Sequence, residues 1–336
     1  MKLLILGGTS FLGRHMTETA LSRGVEVTLF NRGITAPGLF PEVETIHGDR
    51  DGELSPLRDR YWDAVIDTSG YLPRLVRDSA RLLADHIGHY TFVSSISAYA
   101  AFAQSGQDET APLADLGSLS PEEVTPDTYG PLKAMCEKEV EQALPRRSLV
   151  LRPGLIVGPF DPTDRFTYWP ARLAEGGGIL APGHPKRQVQ WIDVRDLADW
   201  MLSLTEKRKT GIYNAVGPAS PITMEEFLLT GIQALNSRAS LIWMKDALLY
   251  RHGVEPWMEL PLWLPQTGPW VEKNGPIQGM LEIGNQKALS EGLSLRTLAE
   301  TMQDTLIWDQ TRPRSLKRKA GISREREQQL LATLKS

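Results

Sequence analysis

Apolar residues follow two rhythms along this chain. Leu3-Leu4-Ile5-Leu6 is unbroken, the pattern of a parallel strand buried on both faces, and it runs straight into Gly7-Gly8-Thr9-Ser10-Phe11-Leu12-Gly13-Arg14. Met16, Ala20 and Leu21 then recur at helical spacing. The stretch predicts a buried strand, a tight turn and a helix. Gly24 ends that helix, and strands are predicted over 25–30, 43–46, 62–67 and 90–95. A helix over 73–86 would turn Leu75, Ala80, Leu83 and Ile87 inward. Strands alternating with helices predict an α/β protein with a doubly wound parallel sheet.

Residues 102–128 are polar and turn-rich, long enough for a mobile segment over a site at the sheet's edge. A helix follows from about 128 to 144. The chain leaves the sheet at 160–190 for a smaller lobe. It returns with a strand at 191–193, a helix to about 204 and a strand at 211–216. Helices are predicted over 223–236 and 295–307, with Trp308 as an anchor. Trp243, Trp257, Trp263 and Trp270 read as lobe packing ahead of a pocket lining. Ser323 suits the N-cap of a last helix running to 334.

Composition narrows the class. The 336 residues are 41% hydrophobic and 23% charged, with a net charge of −4. No apolar run reaches the ~18 residues a bilayer span needs. A strand predicted from Lys2 leaves no room for a leader peptide, and a cytoplasmic location is expected. One cysteine, Cys136, makes neither an internal disulfide nor a thiolate metal site, and the six histidines lack ligand spacing. Residues 311–336 carry eight basic side chains, Arg314 and Lys335 among them, against Glu325 and Glu327. Such a tail suits a polyanion or the protein's own acidic body equally.

Candidate chemistry gathers where the predicted strands end. Gly7 permits the turn, Gly13 lets the helix lie close, and the helix's first amides favour a phosphate over Gly8 to Phe11. The usual dinucleotide pattern would place glycine where Ser10 stands. After the second strand, Asn31 occupies the place of a ribose-binding acid and Arg32 stands beside it. That pair favours NADP over NAD, because an amide does not repel a 2′-phosphate and an arginine can grip one. Asp49 could accept a bond from the adenine amine, and Thr68-Ser69-Gly70 suits a loop lying on a cofactor. Ser94 and Ser95 end a strand at the edge where α/β ligands bind. Tyr129 and Lys133 lie one helical turn apart. An ammonium beside a phenol would lower its pKa and fit it for acid–base work.

Taken with Ser95-Ile96-Ser97-Ala98-Tyr99, Tyr129-Gly130-Pro131-Leu132-Lys133, Arg152-Pro153-Gly154-Leu155-Ile156-Val157-Gly158-Pro159 and Val194-Arg195-Asp196-Leu197-Ala198, the chain resembles the extended short-chain dehydrogenase/reductase superfamily, of the NAD-dependent epimerase/dehydratase type. The resemblance covers roughly 1–310. It implies a Rossmann domain over 1–160 that returns at about 187–216, and a substrate-binding lobe from 161–186 and 217–310. The segment 311–336 remains a basic tail. It also implies Tyr129 as acid/base, Lys133 as its partner and ribose ligand, and Ser95 as the group orienting the substrate oxygen. The implied cofactor set is Gly7, Thr9, Ser10, Phe11, Leu12, Gly13, Asn31, Arg32, Asp49, Thr68, Ser69, Gly70, Lys133 and Pro153.

Departures from the family pattern restrict the chemistry. Ile96 and Ser97 replace the Asp-Glu pair of sugar dehydratases, so 4,6-dehydration is not expected. Leu155 and Val189 stand where many nucleotide-sugar epimerases carry an asparagine and an arginine for the diphosphate. Arg187 could substitute, and Asp164, Arg165 and Tyr168 are further candidates for substrate contacts. The expectation is hydride transfer between NADP, or NAD, and a carbinol or carbonyl carbon of a small molecule, a sugar or nucleotide sugar included. A homodimer is left open; a membrane or nucleic-acid partner is not expected. The alternative is a non-catalytic dinucleotide sensor or an RNA-binding relative of the same fold. Such sensors often lose the tyrosine or the lysine, and this chain keeps both.

Overall fold

In the computed structural model, which describes residues 1–117, 119, 121–313 and 315–334, the first apolar run forms strand β1 (Lys2–Leu6). It lies inside a sheet, between neighbours on both sides, with β2 (Glu26–Asn31), β3 (Glu44–His47), β4 (Trp62–Asp67), β5 (Ile87–Val93), β6 (Ser148–Pro153) and, after other strands, β10 (Gly211–Ala215). All seven pair in parallel, in the order β10-β6-β5-β4-β1-β2-β3. The doubly wound expectation is met. Alternation within β1 builds the two cores. Leu3 and Ile5 pack with helices α1 (Phe11–Ser22) and α5 (Val194–Glu206). Leu4 and Leu6 pack with α2 (Pro73–Leu83) and α3 (Pro126–Ala143) on the opposite face.

The lobe has its own core around Phe166, Trp169, Phe227 and Trp263. It contains α4 (Tyr168–Ala174), α6 (Met224–Ala234), α7 (Asp246–Arg251), α8 (Pro269–Asn274) and α10 (Leu298–Gln310), whereas α9 (Gln286–Ser290) packs Ala288 into the sheet's core. Two small sheets join it: β7 (Ile156–Val157), β9 (Gln188–Asp193) and β11 (Gly217–Thr223) in one, β8 (Gly177–Pro182) and β12 (Ala239–Met244) in the other. Trp263 is 1% exposed and bonded to Asp246 at 2.9 Å, so it packs the lobe.

Two expectations are corrected. The buried stripe of α2 runs through Val76, Ala80 and Leu83; Leu75 lies one position out of phase and is half-buried. The segment after β5 is tied down on both sides. Tyr99 bridges to Leu113, Ala114 N–H bonds the Ala98 carbonyl, and Gly106 N–H bonds the Glu282 carbonyl at 2.6 Å.

The basic tail is part of the lobe. Ser323 caps α11 (Arg324–Thr333), and Glu327, fully buried, takes bonds from Arg172 at 2.8 Å and from Leu180 N–H at 3.0 Å. Arg312 pairs with Asp164 and Asp309, Arg318 with Asp309, and Arg324 with Glu175. The acidic body is therefore what this tail binds; Arg314 and Lys335 lie outside the described residues. Among the described residues no helix is long and apolar enough to cross a membrane.

Candidate functional site

The turn after β1 brings bare backbone to the start of α1. Gly7 and Gly8 take φ of +110° and +95°, and a Cβ on Gly13 would stand 2.7 Å from the Gly8 nitrogen. Helix and turn are thus in backbone contact. Ser10 holds the N-cap position in an extended conformation with no side-chain cap bond, which leaves its hydroxyl and the first-turn amides available to a ligand. Thr68 and Ser69 close the wall from β4, both donating to the Leu6 carbonyl, at 3.0 and 3.1 Å.

Asn31 does a different job from the one its position suggests. Its amide donates to the Gly7 carbonyl at 3.2 Å while its oxygen accepts from Gly33 N–H at 2.8 Å. It ties the end of β2 to the glycine turn. Arg32 is exposed, its guanidinium 3.9 Å from Asp49. The other Asp49 oxygen accepts from Asp51 N–H at 2.9 Å.

Ser95, Tyr129 and Lys133 meet over the carboxyl ends of β4 and β5. Thr125 opens α3 with a capping box, which fixes where the helix begins. Gly130 then lets α3 touch the turn after β5: a Cβ there would stand 2.1 Å from the Ser97 carbonyl oxygen. That contact brings the Tyr129 phenol to the side of the Ser95 hydroxyl, which acts to lower the phenol's pKa. Lys133 is 3% exposed and donates to the carbonyls of Gly70 at 2.7 Å and Val93 at 2.6 Å. Its ammonium also lies 4.6 Å from the Phe92 ring centre and 5.1 Å from that of Tyr71.

These bonds reverse the expected electrostatics. The Lys133 ammonium is directed to two carbonyls and two rings, and burial pulls its pKa down to about 8. Burial raises the Tyr129 phenol above its ordinary value, and the Ser95 hydroxyl offsets only part of that rise. The lowered phenol expected from the four-residue spacing is absent from this arrangement. Subtracting the ultraviolet titration of a Tyr129→Phe variant from that of the ligand-free protein should therefore show this phenol ionising above the usual ~10. A phenolate signal already developed at pH 8 would contradict it.

The predicted substrate contacts divide. Asp164 is 2% exposed, bonded to Arg312 at 2.5 Å and to Lys319 N–H at 2.9 Å, and it anchors the tail. Arg187 is bonded to Asp246 at 2.8 Å. Tyr168 is buried against Trp169 and Gly321. Arg165 alone of the four keeps a charge without a carboxylate in ion-pair range among the described residues, beside the Trp257 ring at 5.8 Å.

The model of the NAD dependent epimerase/dehydratase family matches residues 3–216. The chain belongs to this family. Among curated relatives, epimerase family protein SDR39U1 of Bos taurus is 28% identical over 248 residues, spanning 68% of this chain and 78% of that protein. The human SDR39U1 crystal structure with NADPH shares the fold at TM-score 0.61 and 20% identity, covering 91% of this chain and 99% of that one. A putative epimerase from Burkholderia cenocepacia J2315 superposes at TM-score 0.67 and 17% identity, over 93% and 98% of the two chains.

Two buried networks in this epimerase/dehydratase-family chain were not singled out from sequence. Arg50 donates to both oxygens of fully buried Asp67, at 2.8 and 2.6 Å, and Tyr90 adds a third bond at 2.8 Å. Asp67 in turn accepts from Ser69 N–H at 3.0 Å, which sets the loop at the glycine turn. Behind Ser95, Glu137 accepts from Ser94 at 2.5 Å and from Arg152 at 2.9 and 2.6 Å. A charged residue at a strand's carboxyl end, as Asp67 and Arg152 both are, was the available signal.

Proposed function

We propose that the chain is a nicotinamide-dinucleotide-dependent oxidoreductase or epimerase acting at a carbinol or carbonyl carbon. The observation that carries this is the Tyr129 phenol beside the Ser95 hydroxyl, with buried Lys133 one turn further along α3, next to a glycine turn whose helix start has no side-chain cap. A dinucleotide fits that cradle: Gly13 lets α1 start against the backbone of the turn, and the uncapped first-turn amides of α1 are free for a pyrophosphate. The human structural neighbour was crystallised with NADPH, and a UDP-glucuronic acid 4-epimerase from Bacillus cereus with NAD; both support this reading.

When bound, the dinucleotide supplies a hydride donor or acceptor. Tyr129 gives or takes the proton of the substrate oxygen, and Ser95 orients that oxygen. Lys133 anchors the Gly70 loop and faces the ribose side. Thr9, Phe11, Leu12 and Pro153 are assigned to the same dinucleotide site. The tail's ion pairs to its own lobe disfavour the RNA-binding alternative.

Arg32 makes NADP the preferred dinucleotide, because β2 ends in Asn31 and not in an acid, and the exposed Arg32 guanidinium meets Asp49 only at 3.9 Å. Calorimetric titration with NADP and NAD tests the reading. Because Arg32 is exposed, Arg32→Ala should weaken NADP by about 1.5 kcal/mol, the lower end of a charge-assisted bond and roughly tenfold, leaving NAD unchanged. Binding of neither dinucleotide would overturn the proposal. Equal curves for both in the unmutated protein would overturn the NADP preference.

A further inference from the structure

We infer that the loop 158–167 is an oxyanion subsite, in which Arg165 receives a carboxylate or phosphate of the substrate and Asp161 receives a neighbouring hydroxyl. This rests on the reading above and extends it to the substrate's chemistry. The loop leaves β7 against the first turns of α1. His15 bonds the Pro159 carbonyl at 2.9 Å, and the Arg14 guanidinium lies 3.5 Å from the Phe160 ring centre. The loop therefore starts at the dinucleotide side of the molecule and ends in the lobe core at Phe166.

Within it stand a donor and an acceptor that the protein leaves unmatched. Arg172, Arg187, Arg195, Arg296 and Arg312 each have a carboxylate in range. Arg165 has none among the described residues, and its Nε is buried with no hydrogen-bond partner. Asp161 is 1% exposed; one oxygen accepts from Thr163 N–H and Oγ1, both at 2.8 Å, while Oδ2 is buried with no donor.

The two side chains feel each other's charge without forming an ion pair. Burial raises the Asp161 carboxyl and lowers the Arg165 guanidinium, as expected of charges that lack a partner. Non-glycine residues in left-handed conformations flank the site, Phe160 at φ +69° and Asp164 at φ +61°. The Asp164 carboxylate is neutralised by Arg312, so it does not compete for Arg165. Buried orphans of opposite hydrogen-bonding sense are satisfied together by one ligand that accepts at Arg165 and donates at Asp161. A guanidinium fork selects an oxyanion for the accepting group. Trp257 supplies an apolar wall beside it.

Glycerate and glycerol 3-phosphate carry the two candidate oxyanions next to a hydroxyl, and glycerol is their uncharged control. Calorimetric titration of each, into the free and the NADP-saturated protein, should show binding of at least one anion and none of glycerol at the same concentration. Which anion binds identifies carboxylate or phosphate. R165M should weaken that anion at least tenfold and D161N several-fold, with NADP titration unchanged. Should R165M lose its thermal transition, R165Q is read the same way. No binding of either anion, or equal binding to wild type and the Arg165 variant, overturns the subsite. Anion binding without NADP binding instead overturns the dinucleotide reading and leaves the subsite standing.

Discussion

Replacing Tyr129 by phenylalanine should lower turnover by at least ~10²-fold and as much as ~10⁴-fold, the range of one positioned proton-transfer group. The ring stays, so its contact with Tyr71, at 6.4 Å between centres, and the seat of α3 on Ser97 are retained. Folding and NADP affinity should therefore match wild type, and the loss should fall on kcat. Ser95→Ala should cost less, because its role is to orient an oxygen that other donors can also hold. It also removes the acceptor of Ser97 N–H, at 3.1 Å, so some loosening of the turn is expected. Steady-state rates on the true substrate decide the matter. A Tyr129→Phe enzyme of undiminished turnover would remove this constellation from the chemistry.

Arg50→Met should produce the largest loss of stability in the sheet. It leaves Asp67 charged, fully buried and without its guanidinium, the situation that costs about 3–5 kcal/mol when one partner of a buried pair is removed. The sign with pH follows. Arg50 and the bonds from Ser69 and Tyr90 hold the Asp67 carboxyl below its ordinary value, against burial, so in wild type that stability is present above the unfolded pKa near 4. It is lost as pH falls through the depressed native value. Without the guanidinium, burial prevails and raises the carboxyl, so protonation relieves the variant as pH falls. Urea unfolding at pH 8 and pH 5 should show a smaller deficit at pH 5. Dinucleotide affinity should fall as well, since Asp67 holds Ser69 at the glycine turn. A deficit below 1 kcal/mol at pH 8 would show that the pair contributes little.

What the sequence disclosed was what depends on neighbours along the chain. β4 spans Trp62–Asp67 as its apolar pattern predicts, Ser323 caps α11, and the four-residue step from Tyr129 to Lys133 puts both on α3. The direction taken by Lys133 was not legible. The Gly70 and Val93 carbonyls that receive it come from two other strand ends, 63 and 40 residues away. Likewise the partners of Asp164 and Arg187 lie 148 and 59 residues distant, so neither could be recognised as already paired. β8 and β12 escaped because Gly177 and Gly178 open the first and Pro182 ends it, which masks a buried run of only four residues. The phase of α2 failed by one residue because Ser79, which accepts from Arg50, faces inward with the apolar stripe.

The tail that fastens onto Asp164 and Arg172 also dictates when the molecule can be completed during synthesis. The sheet is closed once β10 has been made, but the lobe still lacks the carboxylate that neutralises Arg172 and bonds Leu180 N–H, 155 and 147 residues further along. Until Glu327 and the buried Leu330 are made, Arg172 has only Glu175, at 3.9 Å, as a carboxylate partner, and the Leu180 amide lacks its acceptor. The parallel sheet can thus be complete while the lobe still waits for the segment that closes it.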